Sequence, residues 1–247
     1  MKLKKTITGI ILATLVMGFV GCSSQEDNVL KMGTNAAFPP FEYIEGTEIV
    51  GFDVDLANLI ADELDMELEI MDMEFNTLTG AVASGMIDMA VAGMTDTPER
   101  RESVAFTDGY YKSKQMIIIQ KDSEIKNAED LIGKTIGVQL GTTGDQFATA
   151  NIEQAKIIRF DKGALAIADL LNKTVDAVII DEEPAKNFIK DQPTLIILET
   201  PFVEEEYAIA IAKENTILKD EINKALIEIK ENGKYDEIFD KYFEKVE

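Results

Sequence analysis

Apolar residues along this 247-residue chain recur with two different periods. Leu30 to Thr34 is a short apolar run that predicts a strand. Phe52 to Leu64 places Leu56, Leu59, Ile60 and Leu64 on one face of a predicted helix. Glu67 to Met73 alternates as a strand, Leu78 to Ser84 reads as a helix, and Asp88 to Gly93 as a buried strand. Further strands are predicted at Thr135–Gln139, Lys156–Phe160, Asp176–Ile180 and Leu195–Leu198, with helices near Asp145–Ala150, Ala164–Asn172 and Pro184–Lys190. The C-terminal part reads as two amphipathic helices, one with Leu218, Ile222, Ala225, Leu226 and Ile229 along a stripe. Strands alternating with helices imply an α/β fold, its parallel sheets covered on both faces.

Two apolar runs break the alternation, Gln115 to Gln120 and Tyr207 to Ala212. A strand with no local helix after it suits a crossover between two lobes. One lobe is therefore expected at 29–110 with 207–247, and the second, with the hinge segments, at 111–206. A single large sheet is the alternative. The chain also carries a faint internal echo. Gly85-Met86-Ile87-Asp88-Met89-Ala90-Val91-Ala92-Gly93 resembles Lys173-Thr174-Val175-Asp176-Ala177-Val178-Ile179-Ile180-Asp181. If the lobes are related this way, Gly93 and Asp181 are equivalent strand tips. Ligands of open parallel sheets bind beyond such tips, so two facing lobes would bring both to one cleft.

The first residues change the picture by fixing a compartment. Lys2, Lys4 and Lys5 precede an uncharged apolar run from Ile7 to Val20, the pattern of a secretory signal too short for a comfortable membrane span. It closes on Phe19-Val20-Gly21-Cys22, which looks like a lipobox, although Phe19 stands where Leu is usual. Residues 1–21 are thus expected to be removed, Cys22 to carry lipid and 22–28 to be a tether. The protein would sit outside the cytoplasm, anchored to the cell membrane: on the outer face of a Gram-positive cell, in the periplasm otherwise. An ordinary signal with an incidental cysteine is the alternative. The chain has 24 basic and 46 acidic residues and a formal charge of −22, which argues against nucleic acid as a partner. With no His and one Cys, metal and thiol chemistry are poorly supplied, and no cofactor is expected.

Candidate chemistry clusters after the predicted strands. Gly93 to Arg100 offers strand-end amides, the Thr95 hydroxyl and a guanidinium. An Arg fork grips a carboxylate with two parallel hydrogen bonds. Thr97-Pro98-Glu99 reads as a helix start, so an exposed Arg on a capped helix is the plain alternative. Phe38, in the loop Phe38-Pro39-Pro40-Phe41, and Phe75 after the second strand can pack on an aliphatic stem or belong to the core. Gly141-Thr142-Thr143-Gly144 precedes a helix and can receive an anion or be a simple turn. It lacks the spacing of a nucleotide-binding loop. Asp181 can meet an ammonium group or cap the helix that follows.

Seven motifs then carry a resemblance across nearly the whole chain. They are Gly33–Phe41, Gly51–Leu56, Ala92–Arg100, Phe106–Tyr111, Gly141–Thr143, Val175–Val178 and Asn232–Tyr235. In this order they closely resemble the polar amino acid-binding proteins of ABC importers, the family 3 extracellular solute-binding proteins of glutamine- and lysine/arginine/ornithine-binding type. The resemblance implies the two-lobe periplasmic-binding-protein fold of type II, with a ligand cleft between lobes joined by two crossover strands. It implies a small-molecule amino acid as ligand, an ABC permease and its ATPase as partners, a monomeric receptor and no enzyme activity. It also implies roles. Arg100, Thr95, Thr143 and Thr142 hold the α-carboxylate; Asp181, Gly93 and Thr95 hold the α-ammonium; Asn35, Phe38, Phe75, Gln139 and Met94 face the side chain.

Departures from the family pattern bear on the ligand. Many relatives carry Asp where this chain has Asn35; the glutamine type has Lys in place of Gln139 and His in place of Ile180. A neutral pocket is therefore expected, favouring a glutamine-like ligand over arginine or lysine, with Glu42 or Asp96 able to supply an acid. A ligand-sensing partner of a membrane signalling protein is a second functional reading, and a dehydratase on the same fold a third.

Overall fold

The computed structural model describes residues 28–198 and 203–243. The expected signal, tether and Cys22 anchor therefore lie outside the described residues, apart from Asn28. The chain opens with strand β1 (Val29–Thr34), followed by a small antiparallel meander of β2 (Ala37–Phe38), β3 (Glu42–Glu45) and β4 (Glu48–Val50). This meander had no counterpart in the sequence pattern, because its strands are only two to four residues long and mix buried, half-buried and exposed positions. Gly51 then turns the chain at φ 138°. A β-carbon there would lie 2.1 Å from the Phe41 carbonyl oxygen, so only glycine fits.

Helix α1 (Phe52–Glu63) buries Phe52, Leu56 and Ile60 completely. Burying each such side chain contributes about 1.5–3 kcal/mol relative to exposure. It leads to β5 (Glu67–Asp72), α2 (Leu78–Ala83), β6 (Met89–Ala90) and β7 (Ala105–Phe106). The long β8 (Tyr111–Gln120) crosses to a second sheet, with β9 (Thr135–Gln139), α3 (Thr143–Asn151), β10 (Lys156–Phe160), α4 (Gly163–Leu171), β11 (Ala177–Asp181), α5 (Glu182–Ile189) and β12 (Leu195–Ile197). Then β13 (Val203–Tyr207) runs back along β8, and β14 (Ala210–Ile211) re-enters the first sheet. Helices α6 (Thr216–Glu231) and α7 (Lys234–Tyr242) follow.

Two sheets result, ordered β5-β1-β6-β14-β7 and β10-β9-β11-β8-β12, so the single-sheet alternative falls. They are joined by a β8–β13 ribbon in which Tyr111 pairs with Tyr207 and Gln115 with Val203. An aromatic cluster braces this hinge. Phe41 lies 4.9 Å from Tyr111 and 5.2 Å from Tyr207 between ring centroids, and α7 adds Phe239, with Phe243 just beyond its end.

Three expectations need correction. The apolar run Asp88–Gly93 is in the ladder only at Met89–Ala90, because Gly93 turns to φ 51° and gives its N–H to the Asp53 carboxylate at 2.7 Å instead of to a strand. Tyr207–Ala212 is not one strand: it divides between the two sheets, as a chain passing from one lobe to the other must. Thr97 starts no α-helix. Its Oγ1 accepts from the Arg100 N–H at 3.2 Å, but only a single 3₁₀ turn, Arg100–Glu102, forms.

The internal echo has a close structural counterpart. The Asp88 carboxylate accepts the Lys31 N–H at 2.8 Å, and the Asp88 N–H donates to the Lys31 carbonyl at 2.9 Å. Asp176 does the same with Thr135, both bonds at 2.8 Å. Each aspartate thus pins the start of a strand to the start of its parallel neighbour, β6 to β1 and β11 to β9.

Candidate functional site: a closed cleft between the sheets

The two echoed strands end at one place. A narrow pocket is lined by Asn35, Phe38, Glu42, Phe75, Gly93, Thr95, Arg100, Gln139, Thr142, Thr143 and Asp181, with Ala92. The lobes are shut over it. Arg100 Nη2 donates to the Gly141 carbonyl at 3.0 Å, and Gln139 Nε2 to Asn35 Oδ1 at 3.0 Å, both from one lobe to the other.

One end of the pocket is charged. The 3₁₀ turn buries Arg100 to 8% exposure, where Nη1 donates to the Thr95 carbonyl at 2.6 Å and the guanidinium stacks 5.3 Å from the Phe75 ring centre. Burial pulls its proton affinity down, and the charges of Glu205 and Asp181 restore part of it. Two of its five N–H groups are used by these carbonyls, so a fork remains for a carboxylate. Helix α3 begins beside it. Thr142 caps that helix, accepting the Asp145 N–H at 3.2 Å, which leaves the Thr143 and Gly144 amides without an acceptor in the helix.

Asp181 stands opposite, at the end of β11. It occupies the cap position of α5 yet makes no side-chain cap bond; its Oδ1 accepts the Tyr207 hydroxyl at 2.5 Å and Ser113 Oγ at 3.3 Å. Burial first, then the nearby Glu205 charge, push its carboxyl up to about 7. Gly93 lines the same pocket, and a β-carbon there would strike the Phe38 ring at 2.9 Å. Thr95 Oγ1 donates to Glu205 Oε2 at 2.7 Å.

The other end holds unpaired acceptors. Asn35 Nδ2 donates to the Met73 carbonyl at 2.9 Å, which fixes Asn35 Oδ1 as the acceptor of the Gln139 amide. Gln139 Oε1 is left without a donor. So are both oxygens of Glu42, a fully buried pocket residue. Desolvation raises the Glu42 carboxyl well above the usual range, and the Asp53 charge beside it adds to this. Burial pushes Asp53 itself up to about 6, although the Gly93 N–H and the Tyr110 hydroxyl both bond its Oδ2 at 2.7 Å.

The structure brings together every residue expected in the cleft except three. Met94 is fully buried in the apolar core with Phe75, Leu78 and Val104, because the turn at Gly93 carries its side chain away from the pocket. Ile180, part of the expected neutral lining, packs against Gly163 of α4 instead. Asp96 forms an ion pair with Arg101 at the surface and supplies no acid to the pocket. Sequence reasoning passed over Glu205, Tyr207, Ser113 and Gln115, all on the crossover strands. Ser113 and Gln115 stand in the polar stretch Lys112-Ser113-Lys114-Gln115 and Glu205 between Glu204 and Glu206, so nothing local sets them apart. Glu42 was noticed only as a possible acid, and its burial has no local signature.

The model of the bacterial extracellular solute-binding proteins, family 3, matches residues 30–245. The arginine-binding extracellular protein ArtP of Bacillus subtilis is 35% identical over 98% of this chain and 98% of its own length. Two solved ancestral arginine-binding proteins are each 40% identical: one bound to arginine, with a TM-score of 0.84, covering 88% of this chain and 99% of that one; one bound to glutamine, with a TM-score of 0.82, covering 87% and 98%.

Proposed function

This chain belongs to the bacterial extracellular solute-binding proteins, family 3, and on that premise we propose that it captures a cationic amino acid, arginine foremost. It is the amino acid-binding protein of an ABC importer, working with a membrane permease, and not an enzyme. No helix among the described residues is long and apolar enough to cross a membrane.

Glu42 carries the choice of ligand. The buried acceptors left open at the side-chain end, both Glu42 oxygens and Gln139 Oε1, lack donors, and a guanidinium brings five. A glutamine amide also needs a donor for its own oxygen. Charge points the same way: the pocket-lining residues include two acids, Glu42 and Asp181, against one base, Arg100. The neutral ligand expected from Asn35, Gln139 and Ile180 is disfavoured because Ile180 packs away from the pocket and Glu42 lines it.

In this reading Arg100 holds the α-carboxylate with Thr95, Thr143 and Thr142, while Asp181, the Gly93 carbonyl and Thr95 hold the α-ammonium. Phe38 and Phe75 flank the stem, and Asn35, Gln139 and Glu42 receive the cationic head. Every ligand charge is then paired on leaving water. A ligand touching both lobes binds the shut form better, which drives closure. The lobes are taken as 29–110 with 207–247 and 111–206, in a monomer tethered through lipid on Cys22.

Calorimetric titration against the full set of amino acids tests the ligand. Arginine is expected to bind tightest, with glutamine the competitor that matters given the glutamine-bound relative. Tighter binding of glutamine than of arginine would overturn the cationic reading. For the anchor, Cys22→Ser should release the protein from the membrane fraction; continued attachment would refute it.

A further inference from the structure

The Glu42–Asp53 pair is more than a countercharge for a ligand. Both carboxyl groups are fully buried, they contact one another, and among the described residues neither is ion-paired to a Lys or Arg. Asp53 Oδ2 is supplied by two donors, the Gly93 N–H and the Tyr110 hydroxyl, each at 2.7 Å. The remaining three oxygens, Asp53 Oδ1 and both of Glu42, have no donor while both groups are ionised. One proton held by Glu42 and donated to Asp53 Oδ1 provides for two of these three oxygens, and two adjacent buried carboxylates disfavour a second charge. The other charged or titratable groups facing them are Tyr110, Tyr235, Asp181 across the pocket and Arg100 at its far end.

We propose that a cationic amino acid binds with expulsion of the proton shared by Glu42 and Asp53, whereas a neutral one binds with that proton in place. This inference rests on the cationic reading of the site. A guanidinium or ammonium at Glu42 pairs with the carboxylate and needs no carboxyl proton, so Glu42–COOH becomes Glu42–COO⁻ and the proton leaves to buffer. With a neutral side chain the protonated Glu42 remains a donor and the pocket stays balanced. The pair is thereby a specificity device set by pH. Affinity for arginine rises with pH until the pair ionises in the free protein, by at most about tenfold per unit from this group, while affinity for glutamine gains nothing from it. Burial raises both groups, Asp53 to about 6 and Glu42 well above its ordinary value, which moves the window up from the acid range of free carboxyls.

The test is calorimetry of the purified chain in two buffers of different ionisation enthalpy, giving protons released per ligand. Asp181, pushed up to about 7, releases part of a proton to buffer when the α-ammonium of any amino acid pairs with it, so the quantity that matters is a difference. At pH 7 arginine is expected to release about one proton more than glutamine, and Glu42→Gln to abolish that excess. Should glutamine bind too weakly, the excess is read as wild type minus Glu42→Gln with arginine. Should Glu42→Gln fail to fold or bind, the wild-type arginine affinity between pH 5 and 8 decides instead. A rise beyond the share of Asp181, read from glutamine or another neutral ligand, supports the inference, and an equal slope refutes it. Arginine binding with no excess proton overturns this inference and leaves the cationic reading standing. Absence of arginine binding overturns that reading, and the inference with it.

Discussion

The two ends of the pocket are built on different principles. The end lined by Arg100, Thr95, Thr143 and Asp181 sits where β6 and β11 stop, two strands pinned to their neighbours by the same aspartate device. Its charges are held by backbone carbonyls, hydroxyls and a helix start, and they suit groups that every α-amino acid carries. The end lined by Glu42, Asn35, Gln139 and Phe38 is assembled from the β2–β4 meander, the end of β9 and the buried start of α1 behind them. Its acceptors are underused, and in the proposed reading they tell one side chain from another. The generic end gathers at turns where the two echoed strands stop, and the other end is built from short strands packed beside them.

The largest test of this contrast is Arg100→Ala. It removes the partner of a buried carboxylate and should cost every ligand alike, about 3–5 kcal/mol or at least a hundredfold in Kd by calorimetry. A loss confined to arginine would mean the two ends are not separate. Glu42→Gln follows, weakening arginine by about 2–3 kcal/mol while leaving glutamine within about tenfold. An equal loss for both ligands would place Glu42 in closure instead of selection.

A third test concerns the ligand-free protein. Glu42, Asp53 and Asp181 all have raised carboxyls, the latter two at about 6 and about 7. Unfolded, these groups lose their protons near pH 4; folded, they keep them longer. The stability they contribute is therefore full below about pH 4 and lost as pH rises through 6 to 7. Thermal unfolding without ligand should drop by several degrees across that interval, and saturating arginine should flatten the drop. A midpoint that climbs over the same range would show that these carboxyls are not protonated in the fold. The smallest effect belongs to Phe75→Leu, which removes the ring beside the Arg100 guanidinium and should cost roughly 1 kcal/mol of binding for all amino acids.

Much of the molecule was open to sequence reasoning, and the reason is periodicity. Strands β9 and β10 fall at their predicted residues, and helix α1 matches within one residue, because their apolar positions repeat at the spacing their burial requires. The echo around Asp88 and Asp176 pointed to Gly93 and Asp181 as facing tips for the same reason. Arg100, Thr95 and Asp181 were legible because strand ends and strong motifs mark them.

What the sequence by itself determined, then, is a pair of α/β lobes and the end of the cleft that any amino acid would use. Only the tertiary structure decided which acids the cleft encloses. Glu42, Asp53, Glu205 and Asp96 look alike along a chain carrying 46 acidic residues. Folding sends Asp96 to a surface pair with Arg101, sets Glu205 on the hinge strand, and seals Glu42 and Asp53 together under the pocket. A carboxyl's chemistry follows from its solvent and its neighbours, and both are long-range consequences of packing that local pattern does not record.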